Sequence, residues 1–219
     1  MNLFELGAVV IVSYLIGAIP VGYLMVKVAK NGADIRDFGS GNTGATNVLR
    51  VLGTKAFVAT MILDAAKGYV PTLVTWYIFG THDLQVAAGI AAVLGHDFPV
   101  FIRFKGGRGV ATSFGVYAAL ALPLAVGMVA VGIFIVLALR YMSVMSMVTV
   151  PGGALVLLLL AIFHVDDDFT YTKTIFGAFA TFFVIITHIP NIKRLIAGQE
   201  PKIGEGGGHR VGPPRPGTT

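Results

Sequence analysis

The sequence predicts an all-α, polytopic integral membrane protein with seven transmembrane helices, and three observations carry that reading. The 219-residue chain is 55% hydrophobic and only 12% charged, where a soluble domain carries roughly 25% charged residues. Its mean hydropathy is +0.80. Uncharged runs about 20 residues long, enough to cross a bilayer, recur along the whole chain. There is no cysteine, which excludes disulfides, thiolate metal sites and a cysteine nucleophile. Sixteen Lys and Arg against eleven Asp and Glu leave a net charge of +5, which in a membrane protein bears first on topology and anionic partners. The basic residues are scattered among hydrophobic runs, so nucleic acid is not an expected partner.

The first span is residues 3–26, uncharged except for Glu5 and followed by Lys27 and Lys30. A signal peptide would put its positive charge before the apolar run. The second is 56–79, interrupted by Asp64 and Lys67, and the third is 84–102. Residues 110–139 are all uncharged; as one helix they would reach roughly 45 Å, against about 30 Å of hydrocarbon. Pro123 lies near the middle, so two shorter spans joined there fit better. Runs 142–163 and 174–189 complete the set. Charge decides between six spans and seven. With seven, every Lys and Arg except Lys67 and Lys173 falls on the inside; with six, Arg140 and the basic tail move outside, against the positive-inside tendency. The expected topology therefore has the N-terminus outside and the C-terminus in the cytoplasm, with residues 1–200 as a single membrane domain. Asp166, Asp167 and Asp168 then form a solvated outer loop, and the Gly/Pro-rich residues 201–219 read as a disordered cytoplasmic tail.

That topology brings three polar clusters to the cytoplasmic face. The first runs from Ser40 through Asn42, Thr46 and Asn47 to Arg50. Small residues and glycines there let backbone N–H groups approach a ligand, with an Arg one helical turn beyond Asn47; otherwise the segment is a capped turn. The second, from His96 to Thr112, holds Arg103, Lys105 and Arg108 among Gly106, Gly107 and Gly109. With a helix starting just after, this is an anion cradle; a loop that merely sets topology does not need that glycine spacing. The GxxxxGK[ST] order of a nucleotide-binding P-loop is absent. The third, from His188 through Asn191 and Arg194 to Glu200, puts polar groups along one helical face, although Pro190 disturbs the geometry.

Two further features lie in or near the membrane. Asp64 and Lys67, at i and i+3, either serve the function, as intramembrane charges usually do, or neutralise each other and hold helices together. Ser143 and Ser146 either add hydroxyl donors to a site at the inner face or simply pack helices. Arg50, Lys105, Arg108 and Arg194 together suit a dianionic phosphate, because guanidinium groups grip phosphate bidentately. At the membrane surface they would hold a water-soluble phosphate beside a lipid tail, which points to acyl, phosphoryl or head-group transfer. No paired inner carboxylates suited to two divalent metals occur, so neither a metal nor another cofactor is expected.

At this point the residues carry a resemblance. SGNTGATNxxR, GHxFPVFxxFKGGRGVAT and HxxNIxRLxxGxE stand in this order, with LDxxKG at 63–68 and RYxSxxS at 140–146. This set resembles the bacterial acyl-phosphate:glycerol-3-phosphate acyltransferase (PlsY) family over essentially residues 1–200. The resemblance implies transfer of a fatty acyl group from acyl phosphate to the 1-hydroxyl of glycerol 3-phosphate. The products are lysophosphatidic acid and phosphate, in the first step of bacterial phospholipid synthesis, at the cytoplasmic side of the inner membrane and among membrane lipids. It maps the first motif to Ser40, Asn42, Thr46 and Arg50, the second to His96, Lys105 and Arg108, and the third to His188, Asn191 and Glu200. Gly106, Gly107, Lys67, Ser143, Ser146 and Arg194 join the implied substrate-binding set. One departure is Arg108, where the family usually has Lys; the charge is kept, but a planar fork replaces a point-like ammonium.

Acyl phosphate is a mixed anhydride and phosphate leaves readily, so the implied tasks are positioning the hydroxyl and stabilising developing charge. On this reading Arg50, Lys105 and Arg108 share the two phosphates while Ser40, Asn42, Asn191 and His188 position glycerol 3-phosphate. The hydroxyl proton goes either to His96 or His188 or to a substrate phosphate. Neither histidine has a carboxylate orienter evident in the sequence, which favours the phosphate. The rival reading is a membrane transporter for organic phosphate, against which stand the clustering of the motifs at one face and the lack of an internal repeat.

Overall fold

The computed structural model describes residues 2–166 and 168–205, and among these the regular elements are all helical. Asp167 and residues 206–219, which make up most of the tail expected to be disordered, lie outside the described residues. Helix α1, Leu3–Gly17, starts where the Asn2 side chain accepts a hydrogen bond from the Phe4 N–H at 3.0 Å, a regular N-cap. The expected first span is not one rod. Pro20 has no N–H to donate, so the chain breaks there and restarts as α2, Val21–Ala29. A 3-10 turn, Ile35–Asp37, precedes α3, Ala45–Leu52, and Gly53 at φ 84° turns the chain into α4, Thr54–Phe79. Helix α5, His82–Asp97, leads through the glycine-rich loop to α6, Val110–Leu120.

The long uncharged run is split, as Pro123 predicts. The break falls at Ala121 (φ −161°, ψ 84°), and Pro123 sits in the first turn of α7, Leu122–Leu139, the one place where its missing N–H costs nothing. Helix α8, Met142–Ile162, follows, then α9, Tyr171–Thr187, and α10, Ile189–Ile196. The last two are bent by 54°, with Pro190 in the first turn of α10. Among the described residues, five segments are long and apolar enough to cross a membrane: 3–29, 54–79, 82–102, 122–139 and 142–162. The bent α9–α10 pair is a sixth if it is one span. Helix α6, with 11 residues, reaches roughly 17 Å and does not by itself match about 30 Å of hydrocarbon.

Packing inverts the pattern of a soluble protein. Thr60, Asp64, Lys67, Thr72, Thr112 and Ser143 are buried, while Leu122, Val126, Phe134 and Leu137 on α7 are exposed, as a lipid-facing surface allows. The principal pairings are α4 on α6, α1 on α5 and α8 on α9. Helices α4 and α6 meet backbone to backbone. A side chain at Gly68 would strike the Thr112 carbonyl, and one at Gly115 would strike the Ala65 carbonyl, the close approach that small residues permit between membrane helices. Behind this pair, buried Tyr117 donates to the Val150 carbonyl at 3.1 Å and meets Phe176 edge-on at 5.2 Å. At the opposite end from the polar motifs, Lys173 is 2% exposed, donates to the Leu120 carbonyl at 3.0 Å and pairs with Asp168. His82 stacks on Trp76 with ring centroids 4.5 Å apart and lies 3.6 Å from Asp168, so that member of the acidic run is partnered rather than merely solvated.

Candidate active site

A cavity of about 840 Å³ opens where the three polar clusters meet. Its polar end is lined by Ser40, Asn42 and Thr46 from the first cluster, with Arg50 on α3. His96 and Arg108 come from the second cluster, and His188, Asn191, Arg194 and Glu200 from the third. Ser143 and Ser146 on α8 complete it. Most of the remaining wall is apolar, including Phe57 and Met61 on α4, Phe114 on α6 and Val129, Ile133 and Val136 on α7. A polar part of the lining thus adjoins a largely apolar one.

Asn47 builds the first wall. It is 1% exposed, and its amide nitrogen faces the carbonyls of Ile35, Phe38 and Asn42 at 3.2, 2.9 and 2.9 Å. Its side-chain oxygen accepts from the Ser40 N–H at 3.1 Å. One side chain therefore folds the Ser40–Asn42 segment onto α3, a role the motif string did not reveal, because a polar residue in a polar loop carries no pattern. In the second wall the loop folds back on the end of α5: Gly107 donates to the His96 carbonyl at 3.2 Å and Gly106 to that of Asp97 at 3.1 Å. A side chain at Gly107 would strike Nε2 of the His96 ring, so glycine is required there. Arg103 and Phe104 both adopt positive φ, 59° and 58°, and this turn leaves Lys105 exposed and outside the cavity lining while Arg108 lines it. Gly106 and Gly107 shape the loop without lining the cavity.

The third wall is organised by Glu200. Its Oε1 accepts from Ser143 Oγ at 2.7 Å and Asn191 Nδ2 at 2.6 Å, and its Oε2 accepts from Arg194 Nε at 2.8 Å. Asn191 Oδ1 is buried and has no partner, leaving an acceptor for a ligand hydroxyl. Ser146 donates to the Met142 carbonyl of its own helix at 2.9 Å. The segment Pro201–Glu205 also lines the cavity, held by reciprocal bonds between Ile203 and Arg140: the Ile203 N–H donates to the Arg140 carbonyl at 2.8 Å, and Arg140 Nη2 to the Ile203 carbonyl at 2.9 Å. The sequence offered no signal for this strap.

The electrostatics favour an anion. Burial, reinforced by repulsion from Arg194 and Arg50, pushes the Arg108 guanidinium down to about 10, with Glu200 and Asp97 opposing. Burial also lowers Arg50. Burial alone would raise Glu200, but the hydrogen bonds from Asn191, Ser143 and Arg194 outweigh it and hold the carboxyl below its usual value. Arg108 and Arg50 therefore remain cations at neutral pH and Glu200 an anion.

The two histidines are held differently. His188 Nδ1 faces the Val184 carbonyl at 2.8 Å, and a carbonyl only accepts, so Nδ1 carries the proton and Nε2 is the free acceptor. His96 Nδ1 instead faces the Lys67 ammonium at 3.0 Å. Asp64, which lines the cavity, pairs with Lys67 at 2.8 Å and lies 3.7 Å from His96 Nδ1, so a carboxylate does stand beside this histidine. Lys67 itself does not line the cavity.

Known proteins resemble this chain over most of its length. The sequence model of the glycerol-3-phosphate acyltransferase family matches residues 7–198. A glycerol-3-phosphate acyltransferase of Thermoanaerobacter sp. (strain X514) is 41% identical over 195 residues, covering 89% of this chain and 94% of that protein. One of Trichlorobacter lovleyi is 44% identical over 191 residues, covering 87% and 93%. Among solved structures, the crystal structure of PlsY (YgiH), an integral membrane glycerol 3-phosphate acyltransferase, is similar in two forms. Its glycerol 3-phosphate form is 36% identical with a TM-score of 0.82, covering 94% of this chain and 96% of that one. Its lysophosphatidic acid form is 35% identical with a TM-score of 0.79, covering 94% and 95%. The chain belongs to the glycerol-3-phosphate acyltransferase family.

Proposed function

We infer that the chain transfers a fatty acyl group to the 1-hydroxyl of glycerol 3-phosphate, giving lysophosphatidic acid, with acyl phosphate as the donor. The observation that carries this reading is the cavity itself, in which Arg50, Arg108 and Arg194 converge at one end and an apolar slot continues from them. A phosphate and a lipid tail belong at its two ends. The oxygen of the 1-hydroxyl bonds to the acyl carbon, the bond from that carbon to the phosphate oxygen breaks, and the departing phosphate carries away the hydroxyl proton. Arg50 and Arg108 hold the phosphates and stabilise the departing charge. Ser40, Asn42 and the free Asn191 Oδ1 orient the glycerol hydroxyls at attack distance. Glu200 keeps Asn191 and Arg194 in place. Lys105, on the exposed side of the loop, acts at the approach to the cavity and attracts anionic substrate.

The topology proposed with this reaction has seven membrane segments, N-terminus outside, in the bacterial inner membrane, with residues 1–200 as one domain and the cavity facing the cytoplasm. The short α6 counts as one of the seven, shielded on both sides by α4 and α7. The test mixes purified protein in detergent with palmitoyl phosphate and glycerol 3-phosphate, without added metal. Phosphate release that depends on glycerol 3-phosphate, with lysophosphatidic acid formed and Arg108→Ala nearly inactive, is the expected result. Folded protein that forms no lysophosphatidic acid, from this donor or from acyl-CoA or acyl carrier protein, would sink the reading and direct the next assay to uptake of glycerol 3-phosphate into proteoliposomes.

A further inference from the structure

Lys67 is a charged group of the motifs that lies inside the helical body and away from the cavity lining. It is 6% exposed. Its ammonium faces three partners: the Ile19 carbonyl at 2.9 Å, His96 Nδ1 at 3.0 Å and Asp64 Oδ1 at 2.8 Å. The Asp64 contact is an ion pair rather than an aligned hydrogen bond. Buried, tied to two acceptors and a carboxylate, and outside the cavity lining, Lys67 is not placed to hold a substrate phosphate, and its ammonium has donors but no lone pair. The same fact fixes the neighbouring ring. Against a donor that cannot accept, Nδ1 of His96 must present its lone pair, and the proton of the neutral imidazole then sits on Nε2. Proton transfer between these two nitrogens would move the positive charge from Lys67, 2.8 Å from the Asp64 carboxylate, to His96, 3.7 Å from it, and so exchange a close buried ion pair for a longer and weaker one.

We propose that Lys67 is a positioning residue which, anchored by Asp64 and the end of α1, fixes His96 as the Nε2–H tautomer. His96 then serves the cavity as a hydrogen-bond donor to an anionic substrate oxygen and not as a general base. Gly107 completes the device: with no side chain there, the Nε2 edge of the ring has the room it needs against the loop. His188 is held in the opposite sense by the Val184 carbonyl, so the cavity contains one histidine that donates from Nε2 and one that accepts there. This division of labour rests on the acyl-transfer reading for its effect on turnover, but the tautomer itself does not.

The experiment is 15N spectroscopy of the full chain labelled at its histidines, in detergent micelles at neutral pH. Spectra of His96→Gln and His188→Gln assign the two signals by subtraction. The expected spectrum shows His96 with a protonated Nε2 and a bare Nδ1, and His188 the reverse. In Lys67→Met the His96 pattern is lost, and Lys67→Arg, which restores a donor without a lone pair, keeps it. A protonated Nδ1 on His96 in the unaltered protein overturns the proposal, and that result needs no variant to fold. So does an unchanged His96 signal in Lys67→Met. In the acyltransfer assay Lys67→Met lowers kcat roughly 100-fold, the size of a lost preorganised donor, with KM for glycerol 3-phosphate nearly unchanged. A loss carried wholly by KM would place Lys67 on the substrate and overturn the positioning role. If lysophosphatidic acid does not form at all, the acyl-transfer reading falls while the tautomer measurement still decides this one.

Discussion

At the level of single residues, the cavity is held in an electrostatically unfavourable state that a ligand relieves. Arg108 is charged below about 10, and its burial beside Arg50 and Arg194 costs stability that Glu200 offsets only in part. Glycerol 3-phosphate is therefore expected to raise the melting temperature by mass action, by an amount equivalent to about 2.7 kcal/mol at 100 times Kd. In Arg108→Ala most of that rise disappears; an equal rise in both proteins would remove Arg108 from the binding site. Glu200 works in the other direction. Its carboxyl is held below the ordinary value of 4.5, so the stability it contributes is fully present above that pH and is lost as pH falls through the lower folded value. As pH falls below 4.5, thermal stability should decline more steeply in the unaltered protein than in Glu200→Gln, and parallel declines would contradict the assignment. The motif residues that line the cavity were legible in the sequence because each motif is local. The pairing of Lys67 with His96 was not, since 29 residues separate them and only the packing of α4 on α5 joins them. Nor could spacing show which cation of the glycine loop turns inward, because that depends on the left-handed backbone at Arg103 and Phe104.

At the level of elements, proline and glycine fix where helices break and where they touch. The split before Pro123 was readable from its position in an overlong apolar run. The break at Pro20 was not, because a run of ordinary span length gives no reason to divide it. The contact of α4 with α6 depends on Gly68 and Gly115, and no hydrophobic pattern marks it. Gly115→Leu should force these helices apart and lower the thermal stability by about 3 kcal/mol or more, since backbone cannot yield as a side chain can. Because α6 carries the glycine loop at its start, the same change should depress acyltransfer in whatever fraction remains folded. Unaltered melting would show that the helices can separate without cost.

At the level of the whole molecule, many large apolar residues face outward while Asp64, Lys67 and several hydroxyl side chains are buried. The absence of cysteine makes the proposed topology directly measurable. A single cysteine at Asp166 should react with a membrane-impermeant thiol reagent added outside intact cells, and one at Lys105 only after the membrane is opened. The reverse labelling would invert the protein and place the cavity on the wrong side for a cytoplasmic substrate. The Glu200 carboxylate and the strap after it have a consequence of timing. The carboxylate that ties Ser143, Asn191 and Arg194 together, and the strap clasped to Arg140, both lie beyond the last helix. During synthesis every membrane segment is made before the residues that finish the pocket. A chain cut short after Ile196 thus keeps every helix and lacks the groups that finish the pocket.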